Sequence, residues 1–355
     1  MRRLLFGIFL LAAHPLSAQY YYNFQQEYFF GNLPNARAEA MGRAATAVGG
    51  NVSSQYFNPA AIGLTKDHQV DLSTSGPFYA LTFSDFYYAG YARRIRPNLV
   101  AAVSVNQLAV GPTTFKVDIN SVDYELDKPT STNLALSAAM EPIKGLHVGV
   151  NANLFRWDLF DDVPVANAFM LDAGVLYRKE LGGRKSIQLG TSATNLTKGD
   201  ITFASPVGDE ATSEFPMIFR AGGAFFTGTE ITIPGAGTGP LDLVFAIDFQ
   251  DVLNNPFRTG FQVGTEAKVF NVFSLRLGYV NQSLDDGGFA NNKDKLTDFT
   301  YGFDSTFRSM NSQNHVPFDL NLDYTSMKPA PVTYSGRRLD NFRTFSLQIN
   351  WPLEN

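Results

Sequence analysis

The chain of 355 residues carries 28 basic and 33 acidic side chains, a net charge of −5, and contains no cysteine. The lack of cysteine excludes disulfides and thiolate metal sites. No block of basic residues appears, which argues against nucleic acid as a partner. Only 17% of the residues are charged, whereas 14% are aromatic. Few charges combined with many aromatic residues suit the wall of a membrane barrel better than a soluble domain.

The first 18 residues have the pattern of a secretory signal peptide. Met1–Arg3 precede the apolar stretch Leu4–Ala13, and the pattern predicts cleavage after Ala18. Cleavage leaves 26 basic and 33 acidic residues, a net charge of −7. The mature chain is therefore expected outside the cytoplasm.

The segment 19–66 differs in composition from the rest of the chain. Ala38–Val48 is rich in small residues, Gly49-Gly50 interrupts it, and Tyr56-Phe57-Asn58-Pro59-Ala60 follows. Such a composition suits a compact plug rather than a flexible tail, which would be more charged. Because Pro59 restricts Asn58 to extended geometry and an asparagine side chain holds a turn, we expect a fixed kink there.

Residues 67–355 alternate between apolar and polar side chains, which is the pattern of β-strands. Leu146, Val148 and Val150, for example, alternate with polar His147 and Asn151. The pattern predicts fourteen strands, starting near Gln69, Thr82, Leu99, Thr132, Leu146, Asn167, Ser186, Met217, Leu241, Arg258, Val272, Thr297, Pro317 and Thr344. The predicted fold class is all-β, a fourteen-stranded antiparallel transmembrane barrel with an N-terminal hatch that plugs its lumen.

Short turns mostly alternate with long polar links between the predicted strands. Pro142–Gly145 is tight, whereas Leu108–Ser131 and Leu196–Pro216 are long. Because short turns of outer-membrane barrels face the periplasm, both termini are predicted to be periplasmic. Four links do not fit this alternation: Gly228–Pro240 and Ser309–Val316 are too long for their places, and Gly76–Leu81 and Asp251–Pro256 are too short. A soluble propeller or pair of sandwiches is the alternative, although it explains neither the loops nor the aromatic strand ends.

The alternation assigns many polar and charged side chains to the inside of the barrel. An arginine facing lipid at mid-membrane would cost about 2–4 kcal/mol. The predicted lumen-lining residues are Asn151, Asn153, Asp172, Arg178, Arg220, Asp248, Arg258, Glu266, Arg276, Asp319 and Asp323. Two interpretations stay open: structural pairing with each other and with the plug, or a substrate path.

The sequence offers little for an enzyme. Its four histidines, His14, His68, His147 and His315, are isolated and lack metal-ligand spacing. No nucleophile-elbow motif is present. We therefore expect no catalytic residue, no metal and no cofactor, and we interpret His147 as a hydrogen-bonding lumen residue.

Residues 35–64 resemble the N-terminal hatch of the FadL superfamily of fourteen-stranded outer-membrane barrels. The resemblance is carried by Asn35-Ala36-Arg37-Ala38-Glu39-Ala40-Met41-Gly42 and by Tyr56-Phe57-Asn58-Pro59-Ala60-Ala61. The superfamily includes transporters of long-chain fatty acids and hydrocarbons, and the PorV and PorQ proteins of the type IX secretion system of Bacteroidota. The motif is more similar to the PorV/PorQ branch. The hatch residues that the resemblance implies are Arg37, Met41, Gly42, Asn58, Pro59 and Ala60.

The resemblance implies the outer membrane of a Gram-negative bacterium of the Bacteroidota, with membrane lipid as a partner. It leaves two functions open. One is an accessory subunit of an outer-membrane secretion or assembly machine, bound to a larger complex, which the motif favours. The alternative is a channel for small hydrophobic compounds. Asn51-Val52-Ser53 stands where relatives tend to carry acidic residues, so no role of such acids is implied here.

Overall fold

The computed structural model describes residues 35–76, 84–110, 113–116, 123–126, 130–158, 164–204, 210–253, 260–283, 295–308, 318–327 and 342–351. The predicted signal peptide, 1–18, and residues 19–34 of the predicted hatch lie outside these ranges. Within them, no helix has the length and hydropathy needed to span a membrane.

Fourteen antiparallel strands in the described ranges close into one barrel, with the first strand paired to the last. The barrel strands are β1 His68–Gly76, β2 Ser84–Arg96, β3 Leu99–Val110, β6 Thr130–Ile143, β7 Leu146–Asp158, β8 Ala166–Gly182, β9 Lys185–Thr194, β12 Ile218–Ile233, β13 Gly237–Val252, β14 Gly260–Val269, β15 Phe273–Ser283, β16 Lys295–Arg308, β17 Asp319–Met327 and β18 Phe342–Trp351. The predicted all-β class and the closed fourteen-stranded antiparallel barrel are thereby confirmed. Each strand start lies within four residues of its predicted position.

Two small hairpins lie in the long links between barrel strands. They consist of β4 Thr113–Lys116 with β5 Asp123–Leu126, and β10 Asp200–Ala204 with β11 Glu210–Glu214. The sequence pattern predicts loops at both places. Strands of four or five residues are too short for a period-two pattern to distinguish them from polar loops.

One of the links that disagreed with the predicted alternation, between β12 and β13, is a tight turn. β12 continues to Ile233 and β13 starts at Gly237, so the turn is residues 234–236. The N–H of Ala236 donates to the carbonyl of Ile233 at 3.0 Å, and Gly235 and Gly237 have positive φ angles of 83° and 92°. The expected long link at Gly228–Pro240 is therefore wrong. Both strands continue beyond the stretches in which apolar and polar side chains alternate, so most of the expected link is strand.

The barrel has two distinguishable ends. Short turns, at residues 97–98, 144–145, 183–184, 234–236 and 270–272, lie at the end that we call the turn end. The links that contain the two small hairpins lie at the opposite loop end, whereas the ten-residue link between β16 and β17 joins strands at the turn end. Side chains alternate between a polar inner face and an apolar outer face: Asn151 is buried, whereas the neighbouring Val150 is exposed. Such an outer face suits contact with lipid.

Residues 35–66, called the N-terminal segment below, lie inside the barrel. They form helix α1, Ala36–Ala40, and two 3-10 helices, Val52–Tyr56 and Pro59–Leu64. Helix α1 contacts β15–β18, whereas the second 3-10 helix contacts β6–β8 on another part of the wall. Nearly all of the segment is buried, so the core of the molecule is the interface between this segment and the inner wall.

Candidate functional site inside the barrel

The N-terminal segment is shaped by two asparagine caps. Asn35 Oδ1 accepts a hydrogen bond from the N–H of Ala38 at 3.1 Å and begins helix α1. Asn58 Oδ1 accepts one from Ala60 at 3.0 Å and begins the second 3-10 helix. Pro59 occupies the first helical position, where a missing N–H costs nothing. Asn58 is extended, with φ −157° and ψ 112°, as a following proline requires.

The side chain of Asn58 also ties the segment to the wall. Its Nδ2 donates to the carbonyl of Thr46 at 3.0 Å and to that of Val175 on β8 at 2.9 Å. Together with the cap, both ends of this fully buried amide are used. One side chain therefore holds two stretches of the segment and one barrel strand together.

Two carboxylates of the wall accept hydrogen bonds from backbone N–H groups of the segment. Asp248 Oδ2, on β13, accepts from Ala45 at 2.8 Å and from Thr46 at 2.7 Å. Asp71 Oδ2, on β1, accepts from Ser53 at 3.1 Å. A carboxylate in this position satisfies donors that the irregular backbone leaves open, and the charge strengthens the bond.

An ion-pair network joins helix α1 to strands β14–β17, on the part of the wall against which the helix packs. Arg37 Nε lies 2.8 Å from Glu266 Oε2 on β14, and Arg276 Nε on β15 lies 2.5 Å from the same oxygen. Arg276 also pairs with Asp323 at 2.7 Å and with Asp304. These side chains are almost wholly buried apart from that of Arg37, so each charge depends on its partners.

Inward-facing glycines let the segment approach the backbone of the wall. A Cβ on Gly149 would lie 2.4 Å from Ala60 N, and one on Gly278 would lie 2.0 Å from Gly42 N. Gly42 itself has φ +63°, and its N–H donates to Thr300 Oγ1 at 3.0 Å. The wall glycines with close contacts to the segment are Gly90, Gly149, Gly174, Gly190, Gly222, Gly264, Gly278 and Gly302. We call them the glycine belt.

A polar layer covers the segment on its loop-end side. Tyr56 OH donates to Asn106 Oδ1 at 2.6 Å, and burial raises the pKa of the Tyr56 hydroxyl well above its ordinary value. Beside it, Asn133 donates to Asn153 at 3.1 Å, and Asn153 donates to Asp172 at 2.8 Å. These hydrogen bonds link β3, β6, β7 and β8 on the loop-end side of the segment.

Beyond the polar layer, the inner face becomes apolar. Phe155 on β7 and Phe215, just after β11, form an edge-to-face pair with ring centroids 5.0 Å apart. Met170 on β8 and Ile201 on β10 are equally buried. We call Phe155, Met170, Ile201 and Phe215 the loop-end cluster. The β10–β11 hairpin contains Ile201 and is followed directly by Phe215.

The structure brings most of the predicted lumen residues to the inner wall. Asn151 donates to the carbonyl of Gln55 at 3.1 Å, and Arg220 donates to Gln250 Oε1 at 3.1 Å and to the carbonyl of Tyr56 at 3.4 Å. Asp319 pairs with Lys66 at 2.6 Å near the turn end. The positions of Asn153, Asp172, Asp248, Glu266, Arg276 and Asp323 are given above, as are those of the hatch residues Arg37, Gly42, Asn58, Pro59 and Ala60.

Three further placements complete the set. Met41 is buried against Gly264 of the glycine belt, and Arg258 lies outside the described residues. Arg178 was expected in the lumen, which is wrong: it is exposed at the turn end of β8 and pairs with Glu180 at 2.7 Å. Alternation predicts which side of the wall a side chain faces, but not its position along the barrel axis. Arg178 lies beyond the end of the lumen.

Sequence reasoning missed several residues that bind the segment. Asp304 alternates with the outward Phe303, and Asp71 alternates with the outward Leu72, so a stricter use of the period-two pattern finds both. Gln55, which donates to Ser104 at 2.5 Å, has no such signal, because the segment has no regular period. Among the described residues, no group of three or more His, Asp or Glu side chains is arranged to hold a metal ion.

Comparison with known proteins identifies the fold. No protein-family model and no curated protein matches the chain. A FadL homologue from Pseudomonas aeruginosa superposes with a TM-score of 0.54 at 11% identity, covering 91% of this chain and 99% of that one. The barrel has the FadL fold.

Two toluene transporters give similar but weaker superpositions. TodX from Pseudomonas putida has a TM-score of 0.48 at 11% identity, covering 89% of this chain and 96% of that chain. TbuX from Ralstonia pickettii has a TM-score of 0.48 at 11% identity, covering 90% and 100%. At such identities the likeness concerns the fold alone.

Proposed function

We propose that this protein is an outer-membrane barrel of the FadL superfamily that passes small hydrophobic compounds, with the N-terminal segment as its hatch. The observation that carries the proposal is the loop-end cluster, where Phe155, Met170 and Phe215 make the inner face apolar above a polar layer. The FadL fold and the resemblance of residues 35–64 to a FadL hatch support it. In this arrangement the turn end and both termini face the periplasm.

In this proposal the loop-end cluster provides the first binding step once the β10–β11 hairpin moves aside, because its four side chains are at most 2% exposed. A hydrophobic compound that leaves water and enters this cluster gains about 25 cal/mol per Å² of apolar surface buried. The polar layer and the N-terminal segment then separate the compound from the turn end. Passage therefore requires that part of the segment moves away from the wall.

The contacts of the segment are suited to such movement. They include hydrogen bonds and ion pairs, such as Tyr56 to Asn106 and Arg37 to Glu266, beside apolar contacts of small side chains such as Ala60 with Leu176. Water can replace these partners one at a time as the segment moves, since each exchanged bond is worth about 0.5–1.5 kcal/mol net, or about 1.5–3 kcal/mol where a partner is charged. Arg276 keeps Glu266 paired when Arg37 leaves, so movement of helix α1 does not leave this carboxylate without a partner.

A reversible crosslink tests this function directly, because the chain has no cysteine of its own. Ala36 and Ser346 are in contact, with 3.0 Å between Ala36 N and Ser346 Oγ. We expect cells without another fatty-acid channel to take up labelled oleate when they produce the protein. Oxidised Ala36→Cys/Ser346→Cys should reduce uptake at least tenfold, and a reductant should restore it. The two single-cysteine variants are the controls. Uptake that is unchanged by the lock, or absent in the wild type, contradicts the proposal.

The second candidate is an accessory subunit of an outer-membrane secretion or assembly machine, as in the PorV/PorQ branch. The glycine belt favours it, because close backbone contacts such as Gly149 to Ala60 and Gly278 to Gly42 are those expected of a segment that stays packed in the lumen. A barrel with this function does not need to open. Purification from its native membrane in mild detergent should then recover a much larger barrel in stoichiometric amount. The crosslink between positions 36 and 346 should leave this association intact, whereas a monomer that retains a lipid-like compound favours the channel.

A further inference from the structure

A groove lies on the outer wall of the barrel, away from the lumen. It crosses strands β6–β9, has a volume of about 550 Å³ and is lined almost entirely by apolar atoms. Its floor consists of small outward-facing side chains: Ala138, Val150, Ala173, Val175, Thr191 and Ala193. We call it the lipid-facing groove.

The groove follows from the register of the strands. Val150 pairs with Ala173, and Ala173 pairs with Ala193, so small residues form a continuous row across three strands. Larger exposed side chains border this row, with Leu154 on the loop-end side and Tyr177 and Leu189 on the turn-end side. The depression is therefore a feature of side-chain size at matched positions.

Three lysines stand at the turn-end limits of the same strands. Lys144 lies in the turn before β7, Lys179 is near the end of β8, and Lys185 begins β9. All three are exposed, and they form no ion pair with any other described residue. Lys179 is four residues from Val175 along β8, which corresponds to about 13 Å at 3.3 Å per residue.

The acidic side chains nearby are already bound. Glu180 pairs with Arg178 at 2.7 Å, and Glu141 accepts a hydrogen bond from the N–H of Gly145 at 2.7 Å. The lysines therefore form a local cationic row on a protein whose net charge is −5. Lysine binds phosphate as a point charge, and basic side chains at a membrane surface attract anionic lipids.

We propose that the lipid-facing groove binds one anionic phospholipid, with an acyl chain against Ala173 and Val175 and the phosphate among Lys144, Lys179 and Lys185. Charge complementarity selects this occupant. A phospholipid carries its phosphate a glycerol unit beyond the ester ends of its chains. An acyl chain whose middle carbons contact Val175, with its ester end toward the turn end, therefore brings the phosphate to the cationic row about 13 Å away. A second copy of the chain would place its own apolar wall in the groove but would leave the lysines without a counter-charge.

Native mass spectrometry of the detergent-purified protein tests the proposal with two lipids that share acyl chains, dioleoyl phosphatidylglycerol and dioleoyl phosphatidylethanolamine. We expect one bound phosphatidylglycerol, retained at least tenfold better than phosphatidylethanolamine. Val175→Trp fills the groove and should reduce retention of both lipids at least tenfold. The triple variant Lys144→Gln/Lys179→Gln/Lys185→Gln should lose only the preference between them.

Matched controls are Thr265→Trp, on the outward side of β14, and Lys198→Gln, exposed near the loop end. Neither should change lipid retention. Heat-dependent migration in electrophoresis establishes that each variant still forms a closed barrel. Equal retention of the two lipids by the wild type, a preference that survives the triple variant, or a dimer that Val175→Trp dissociates would each overturn the proposal.

Discussion

Arg37 Nε lies 2.8 Å from Glu266 Oε2, although 229 positions separate the two residues in the chain. A second bond, from Arg37 Nη2 to Glu266 Oε1 at 2.9 Å, makes the pair bidentate. This geometry gives direction as well as energy to the contact. It fixes helix α1 against β14 and thereby orients the start of the N-terminal segment.

Replacing Arg37 with Gln should loosen helix α1 without opening the barrel. The bonds to Glu266 are charge-assisted, and the loss should be about 1–3 kcal/mol. Hydrogen exchange of the Ala36–Ala40 amides measures this change. Arg156→Gln is the control, because Arg156 and Asp158 form an exposed pair with side-chain exposures of 57% and 41%. Such a pair contributes little, so equal effects of the two variants would contradict the assigned role.

Gly149→Val should displace the second 3-10 helix. The added Cβ would lie 2.4 Å from Ala60 N and from the carbonyl carbon of Pro59, so the backbone has to shift. Overpacking of this kind costs about 1–3 kcal/mol. Faster hydrogen exchange over Pro59–Leu64 is the expected readout. Gly223→Val is a matched control, since its Cβ would meet only Leu189 Cδ2 at 3.5 Å and Gln188 O at 3.9 Å.

Asn58→Asp should be at least as damaging as Asn58→Ala. Aspartate keeps the cap on Ala60, but it loses both donations by Nδ2, to Thr46 and Val175. It also places a charge beside two carbonyl oxygens in a fully buried position. Burial of a charge without a partner is costly. Unfolding free energies of the two variants check this, and a nearly wild-type Asn58→Asp would show that the cap alone matters.

Tyr56→Phe should change the alkaline pH dependence of stability. Burial raises the pKa of Tyr56 in the folded protein, whereas in the unfolded chain the pKa of this hydroxyl is about 10. The folded state therefore binds more protons than the unfolded state above pH 10, and the free energy of unfolding falls as pH rises there. The phenylalanine variant lacks this contribution.

Denaturation measured at pH 8 and at pH 11 tests the Tyr56 prediction. At pH 8 the variant should be less stable by about 1–2 kcal/mol, because Asn106 Oδ1 loses its donor. At pH 11 the difference should shrink. A difference that stays constant between the two pH values would mean that Tyr56 titrates normally in the folded protein.

The strands were largely predictable because a period-two pattern is local. Val150 and Asn151 lie on opposite sides of the wall, as their polarity indicates, since successive side chains of a strand point in opposite directions. The same argument fails for Arg178, which has the right parity but lies at the turn end. The alternation tells whether a side chain faces inward or outward, but it does not depend on where the lumen ends. It therefore cannot predict the position of a residue along the barrel axis.

The site inside the barrel was only partly predictable. Asn58-Pro59 indicated a kink, because the cap and the restriction by proline act within three residues. The sequence did not predict that Asp248 accepts from the N–H of Ala45 and Asp71 from that of Ser53. Which carboxylate lies opposite which N–H depends on strand register and on closure of β1 against β18.

By itself, the sequence determined the all-β class, the number of barrel strands and the inward or outward side of most residues, since each follows from contacts between near neighbours. Only the tertiary structure decided that Arg37 binds Glu266 and that Gly149 faces Ala60. It also decided that small side chains on β6–β9 align into a groove above three lysines. These relationships join residues far apart in the chain, and closing the barrel is the physical step that brings them together.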